Sequence, residues 1–335
     1  MSRKFSKYND ASGLCFRLNF YICMTSSNKS FYIMKKAAIV SLLISFSVLF
    51  NSCQETGKEV ESFSFAFITD IHIMPEKQAV EGFRKAVDDI NVMKPDFVIT
   101  GGDLIMDAPR VSYERADSLY NIYTSEVLNF EMPVYNTIGN HEIFGIYKES
   151  NTPPDHPEYG FKMYEKRIGE RYYSFDYKGW HFILLNSIQY KDHKYYGMID
   201  EKQMEWIKRD LLNVDPQTPI VISTHIPFIT VFTQYLFGEY APDYRGLIVE
   251  NTRDVLDLFV GHNLMLVLQG HLHYLEYIEL DGISFITGGA VSARWWEGPN
   301  HNTEEGYLMV YAEGDDFTWE YVDYDWDAVE MSDSY

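Results

Sequence analysis

The chain has 335 residues, of which 46% are hydrophobic, 16% aromatic and 23% charged, enough apolar material for a full core and too ordered a composition for an unfolded chain. Its formal net charge of −21 at pH 7 repels the phosphate backbone of long nucleic acids and argues against a genomic-DNA nuclease. The three cysteines are Cys15, Cys23 and Cys53, so a disulfide or thiolate metal site beyond residue 53 is excluded and any metal there must use nitrogen and oxygen ligands.

Residues 1–33 precede an ordinary signal start, and the internal Met24 and Met34 suggest an initiation site assigned too early. Met34-Lys35-Lys36, the apolar run Ala37 to Phe50 and Asn51-Ser52-Cys53 have the charged start, short apolar centre and small-residue end of a signal peptide. Such a run is too short to span a bilayer comfortably. The cysteine at its end resembles a bacterial lipoprotein signal, in which cleavage before the cysteine leaves it lipidated. The expectation is an exported chain, anchored to the membrane through Cys53 and facing the periplasm or cell exterior, with an uncleaved anchor as the alternative. Residues 54–61 read as a polar tether, 62–325 as one large domain and 326–335 as an acidic tail.

Phe63, Phe65 and Phe67 alternate and give way to Asp70, which predicts a strand ending in a polar loop. Val80, Phe83, Val87 and Ile90 are spaced for a helix over 76–93, and Pro95 then precedes a strand at 97–99 and the loop Gly101-Gly102-Asp103. A second helix over about 112–130 leads to a strand at 134–138 and the loop Gly139-Asn140-His141-Glu142. Further on, 172–177 and 180–185 predict a hairpin around Lys178-Gly179, and Asp200 with Gln203 resembles a capping box opening a helix to about Leu212. Strands at 219–223 and 264–268 end at His225 and at Gly270-His271-Leu272-His273. Four more follow, at 274–280, 283–287, 307–311 and 317–322. An order that begins βαβαβ and ends in antiparallel strands predicts an α/β (α+β) fold of mixed sheets covered by helices, with ligands beyond the carboxyl ends of the strands.

The chemistry-bearing residues gather in these loops. Asp70, His72, Asp103, Asn140, His141, Glu142, His225, His271 and His273 supply carboxylates, an amide and imidazoles in about the number that two divalent ions need. In extended backbone, residues two apart point the same way, so Asp70 with His72, and His271 with His273, can present both side chains to one cavity. Mixed oxygen and imidazole donors suit Mn, Fe, Zn or Co. The five histidines His156, His181, His193, His262 and His301 lack such context and read as ordinary imidazoles.

The order Asp-x-His, Gly-Asp, Gly-Asn-His-acid, a lone His and Gly-His-x-His resembles the calcineurin-like metallophosphoesterases, and the resemblance covers residues 62–322. It implies a four-layer sandwich of two mixed sheets flanked by helices, and hydrolysis of phosphate monoesters or diesters by a metal-activated water. It also implies a residue-by-residue assignment: Asp70, His72 and His273 on one metal, Asn140, His225 and His271 on the other, and Asp103 bridging. His141 then serves the leaving oxygen, and Glu142 orients it. Within the family the likeness is to the branch that includes cyclic-nucleotide phosphodiesterases. The implied partners are a small phosphate ester and, through the lipid anchor, a membrane, with no long nucleic acid. The alternative is a non-catalytic surface lipoprotein that binds a phosphorylated ligand with the same fold. Arg294 and Trp296, just past Gly288-Gly289, are candidates for a substrate wall, with loop packing as the plainer account.

Overall fold

The computed structural model describes residues 61–238 and 246–328. Residues 1–33, the signal-like segment with Cys53, the tether to residue 60 and the tail beyond 328 lie outside the described residues. Among the described residues no helix is long and apolar enough to cross a membrane.

The first half of the fold is β1 (Ser62–Ile68), α1 (Ala79–Met93), β2 (Phe97–Thr100), α2 (Tyr113–Glu126) and β3 (Val134–Asn136). A short helix α3 (Lys162–Arg167) leads to β4 (Tyr173–Tyr177), β5 (Trp180–Leu184), β6 (Ile188–Lys191) and β7 (Lys194–Gly197). Then come α4 (Glu201–Leu211), β8 (Pro219–Ser223), α5 (Phe232–Phe237), α6 (Thr252–Asp257) and β9 (Asn263–Gln269). The last strands are β10 (Leu275–Leu280), β11 (Ile283–Gly288), β12 (Gly306–Glu313) and β13 (Asp316–Asp323). One sheet has the order β13-β12-β1-β2-β3, parallel from β1 to β3 and antiparallel at β12 and β13, and the other β10-β11-β9-β8-β5-β4, with a parallel centre and an antiparallel strand at each edge. The mixed sheets expected from the element order are observed, and the two large ones are those that the family resemblance implies.

β1 shows why the sheets stack. Phe63, Phe65 and Phe67 enter a core between the sheets with Phe97, Phe182, Leu266 and Leu308, and the rings of Phe65 and Phe97 stack 5.2 Å apart. Its other face, Ala66 and Ile68, packs in the cluster that holds Phe83, Val87 and Ile90 of α1. A parallel strand covered on both sides is apolar on both. Each fully buried phenylalanine contributes about 1.5–3 kcal/mol of transfer free energy.

Two local features differ from expectation. Asp200 caps α4 by accepting from the Gln203 N–H at 2.8 Å, but the Gln203 side chain does not reciprocate. It bonds both backbone groups of Asn186, each at 2.8 Å, because a buried amide is better satisfied by an unpaired peptide. The hairpin β6–β7 is not among the expected strands, and its turn uses Asp192 and His193 at φ 50° and 62°.

His181 on β5 lies between two carboxylates, Nδ1 at 2.7 Å from Asp176 and Nε2 at 2.9 Å from Asp210. Burial opposes its charge, yet the hydrogen bonds to Asp210 and Asp176 prevail and raise its pKa. A raised folded pKa means stability that is fully present below the unfolded value of about 6.5 and fades as pH rises through the folded value. His181→Gln should therefore lose more melting temperature at pH 6 than at pH 9. Equal losses in thermal melts at the two pH values would mean a neutral imidazole.

Candidate metal centre

Every loop of the expected set leaves the carboxyl end of a parallel strand: Asp70 and His72 after β1, Asp103 after β2, Asn140 and His141 after β3, His225 after β8, His271 and His273 after β9. The two sheets thus bring distant residues to one edge. The backbone there is not the extended ribbon that residues two apart would suggest. Asp70, His72, Asp103, His271 and His273 take left-handed φ values of 54°, 46°, 52°, 73° and 51°. Non-glycine residues rarely adopt that region, at about 1–3 kcal/mol each, and such strain clusters at functional sites. It is held by hydrogen bonds from Asp70 N to Gly102 O at 3.0 Å and from His72 N to Asp103 O at 2.9 Å.

The side chains converge. Asp70 Oδ1 lies 3.2 Å from His273 Nε2 and 3.8 Å from His72 Nε2, and those two imidazole nitrogens are 2.9 Å apart. Asp103 Oδ2 faces both halves of the cluster, 3.6 Å from His72 Nε2 and 3.2 Å from His225 Nε2. Its other oxygen accepts the His141 N–H at 2.9 Å. His225 Nε2 also meets Asn140 Oδ1 at 3.1 Å and His271 Nδ1 at 3.2 Å. Three groups have donor atoms close enough to hold an ion: Asp70, His72 and His273; His72, Asp103 and His141; Asp103, His225 and His271.

The donor set fits cations. His225 Nδ1 donates to Gly101 O at 2.8 Å and His273 Nδ1 to Ala293 O at 2.5 Å, which turns each Nε2 toward the cluster. Each Nε2 faces carboxylate or amide oxygens, an arrangement that calls for positive charge between them, a proton or a metal ion. His72 Nδ1 and His271 Nε2 are buried without a hydrogen-bond partner. The field of the carboxylates is visible in the imidazoles. Burial would lower His225, but Asp103 and Asp70 carry it up to about 9, whereas burial and the neighbouring His225 take His271 down to about 4. Metal ions compete with protons for imidazoles placed in this way.

Glu142 is fully buried, and its carboxylate accepts four backbone N–H groups: Asp103 at 3.0 Å, Leu104 at 2.8 Å, Ile105 at 3.2 Å and Gly139 at 2.6 Å. The expectation that it orients His141 is therefore corrected. A carboxylate saturated by peptide donors ties the Asp103 loop to the Asn140 loop and has no lone pair directed at the cleft. Gly139 is required for that junction, since a Cβ there would collide with the backbone and carboxylate of Asp103. The carboxylate that does face His141 is Asp107, whose Oδ1 lies 3.7 Å from Nδ1, a partner the sequence reading missed. His141 Nε2 is 3.8 Å from Asp103 Oδ2, and its side chain is 18% exposed whereas His72 and His225 are at 0%.

Residues 63–275 match the calcineurin-like phosphoesterase family. The chain belongs to that family. It is 25% identical over 203 residues to the bovine serine/threonine-protein phosphatase CPPED1, over 59% of this chain and 60% of that one. It is 28% identical over 163 residues to purple acid phosphatase 23 of Arabidopsis thaliana, over 45% of this chain and 30% of the plant protein. The matches thus span less than two thirds of both relatives. A dimetal phosphatase from Danio rerio shares the fold, with a TM-score of 0.53 at 17% identity, covering 77% of this chain and 98% of its own. Membership in the calcineurin-like phosphoesterases implies a dinuclear metal centre, and the clusters at the strand ends are where this chain has the donors for one.

In this calcineurin-like phosphoesterase the loop after β11 departs from expectation. Trp296 is only 2% exposed, and its indole N–H donates to Ile71 O at 3.0 Å and His72 O at 3.3 Å. It is a strut beneath the His72 loop, so the expectation that it forms a substrate wall is corrected: a buried indole with its N–H satisfied by backbone has no surface for a ligand. Arg294 is exposed and reaches Glu297 O at 3.4 Å, with no contact to the cluster among those described. Trp295 takes the place expected for Trp296. It is 40% exposed, and its ring lies 4.7 Å from that of His273 and 6.2 Å from that of His72. On the opposite side Tyr195 of β7 sets its ring edge-on to His271 at 6.1 Å. Two tryptophans in sequence carry no signal for which one faces the cleft.

Proposed function

We propose that the protein hydrolyses phosphate monoesters or diesters outside the cytoplasm, with Asp70, His72 and His273 holding one metal ion, Asn140, His225 and His271 the other, and Asp103 shared. The observation that supports this reading is the gathering of carboxylate, amide and imidazole atoms within ligand distance of one another at the strand ends. Two bound ions supply an acidified water and charge neutralisation for the phosphate. The chain's own contribution is positional. Asp103 fixes the His141 backbone through Oδ1 while Oδ2 stays with the imidazoles. His141, the more open imidazole with Asp107 behind it, is placed to give a proton to the leaving oxygen.

The test uses the purified protein stripped with a chelator and reloaded with Mn, Fe or Zn. Chelation should lower the melting temperature, since binding to the folded state stabilises it by mass action. Hydrolysis of 4-nitrophenyl phosphate or its bis-ester should stop, and reloading should restore both properties. The preferred ester chooses between phosphatase and phosphodiesterase. Activity indifferent to chelation counts against the metal assignment. Metal-dependent stability with no turnover of either ester would favour the surface lipoprotein that binds a phosphorylated ligand.

The location rests on the signal-like run that ends at Cys53. With Cys53→Ser a membrane-fraction protein should become soluble or stay uncleaved. A cleaved variant that fractionates like the wild type speaks against lipidation and leaves the enzymatic reading intact.

A further inference from the structure

We infer that Trp295 is the stacking platform of the cleft and that the preferred substrates are phosphate esters whose organic half carries a flat aromatic ring, an aryl or nucleobase group; this presupposes the phosphoesterase reading above. Packing does not account for the side chain. Trp296 already fills the buried position in this loop, while Trp295 leaves 40% of its surface open beside the metal-binding cluster. Its ring is tilted 43° to that of His273 at 4.7 Å, so the indole borders the cluster within reach of the organic half of an ester held there by its phosphate.

The platform is rigid. Ala293, Trp295 and Trp296 take left-handed φ values of 40°, 49° and 67°, a run of strained residues that must be held from outside. The restraints are on both sides of the indole. The Trp296 N–H is bonded to the backbone of Ile71 and His72, the Arg294 N–H donates to Gly298 O at 3.0 Å, and Lys77 reaches Glu297 Oε1 at 2.5 Å and Trp295 O at 3.4 Å. An aromatic group fixed in advance loses little entropy when a ligand arrives. Its π face stacks on any flat ring, which makes the preference one of ring shape and not of hydrogen-bond pattern. An aliphatic ester has no such face to offer.

The metal-loaded wild type, Trp295→Ala and Trp295→Phe are compared on 4-nitrophenyl phosphate, adenosine 5′-monophosphate and glycerol 3-phosphate. Trp295→Ala should raise KM for the two ring esters about tenfold, with kcat much less affected, and should move the glycerol ester far less. Trp295→Phe should recover most of the loss. A second readout needs no turnover: calorimetry with phenylphosphonate and methylphosphonate, whose carbon–phosphorus bonds are not hydrolysed. The wild type should prefer the phenyl compound, and the preference should fall about tenfold in Trp295→Ala at unchanged metal content. Equal changes for all three esters, no change in any, or loss of metal from Trp295→Ala would overturn the platform. If the wild type hydrolyses none of the esters, the phosphoesterase reading fails, and the phosphonate preference still decides whether Trp295 binds rings.

Discussion

Asp103→Asn is expected to empty both halves of the metal centre together. The Oδ2 atom of Asp103 lies 3.6 Å from His72 Nε2 and 3.2 Å from His225 Nε2, so one carboxylate faces imidazoles from each triplet of donors. Burial would raise its pKa, but His225 and His141 hold it well below the ordinary carboxylate range, which keeps it charged. An amide cannot offset charge between two cations. The affinity loss should exceed the roughly 10–100-fold that follows from disturbing a group merely adjacent to a ligand. The fold should survive, because the amide oxygen can still accept the His141 N–H now bonded to Oδ1. Metal analysis should give less than one ion per chain, with activity falling in step and far-ultraviolet circular dichroism unchanged. Retention of both ions and full activity would remove Asp103 from its shared position.

His141→Asn should do the reverse, keeping the metals and losing the chemistry. The His141 side chain stands at the open edge of the cluster, its ring 4.5 Å from that of His72 and its Nε2 3.8 Å from Asp103 Oδ2. Its backbone N–H carries the bond that steadies Asp103, and asparagine preserves it. Metal content should stay close to that of the wild type while kcat falls by roughly 10²–10⁴, the scale of general acid catalysis. The loss should shrink for nitrophenolate, a leaving group that needs little protonation, and grow for alkyl alcohols. A loss of equal size for both leaving groups would assign His141 to charge stabilisation. A variant that sheds its metals would make His141 a ligand, as its grouping with His72 and Asp103 would then require.

How much of this was legible without coordinates differs from residue to residue. Asp70, His72, Asp103, Asn140, His225, His271 and His273 could be picked out because strand, loop and helix alternate in the sequence, and that alternation sends the loops after successive parallel strands to one edge. The two sheets were legible from Phe63, Phe65 and Phe67 and from the antiparallel strands that end the domain, because hydrophobic periodicity is set by local geometry. The roles of neighbours within loops were not. Residues 70–72 and 271–273 alternate in and out of the left-handed region, and nothing in the sequence told Trp295 from Trp296, since an irregular backbone has no period to extrapolate. Glu142 and Asp107 depended on partners brought by the fold: the peptide N–H groups that bind Glu142 include those of residues 103–105, and Asp107 meets His141 across a loop. The sequence by itself determined which chemical groups gather at the strand ends, because composition and strand order decide that. Tertiary structure alone decided which faces the substrate side and which holds up the loop, because that choice is made by the direction of each Cα–Cβ bond in a backbone that long-range hydrogen bonds keep strained.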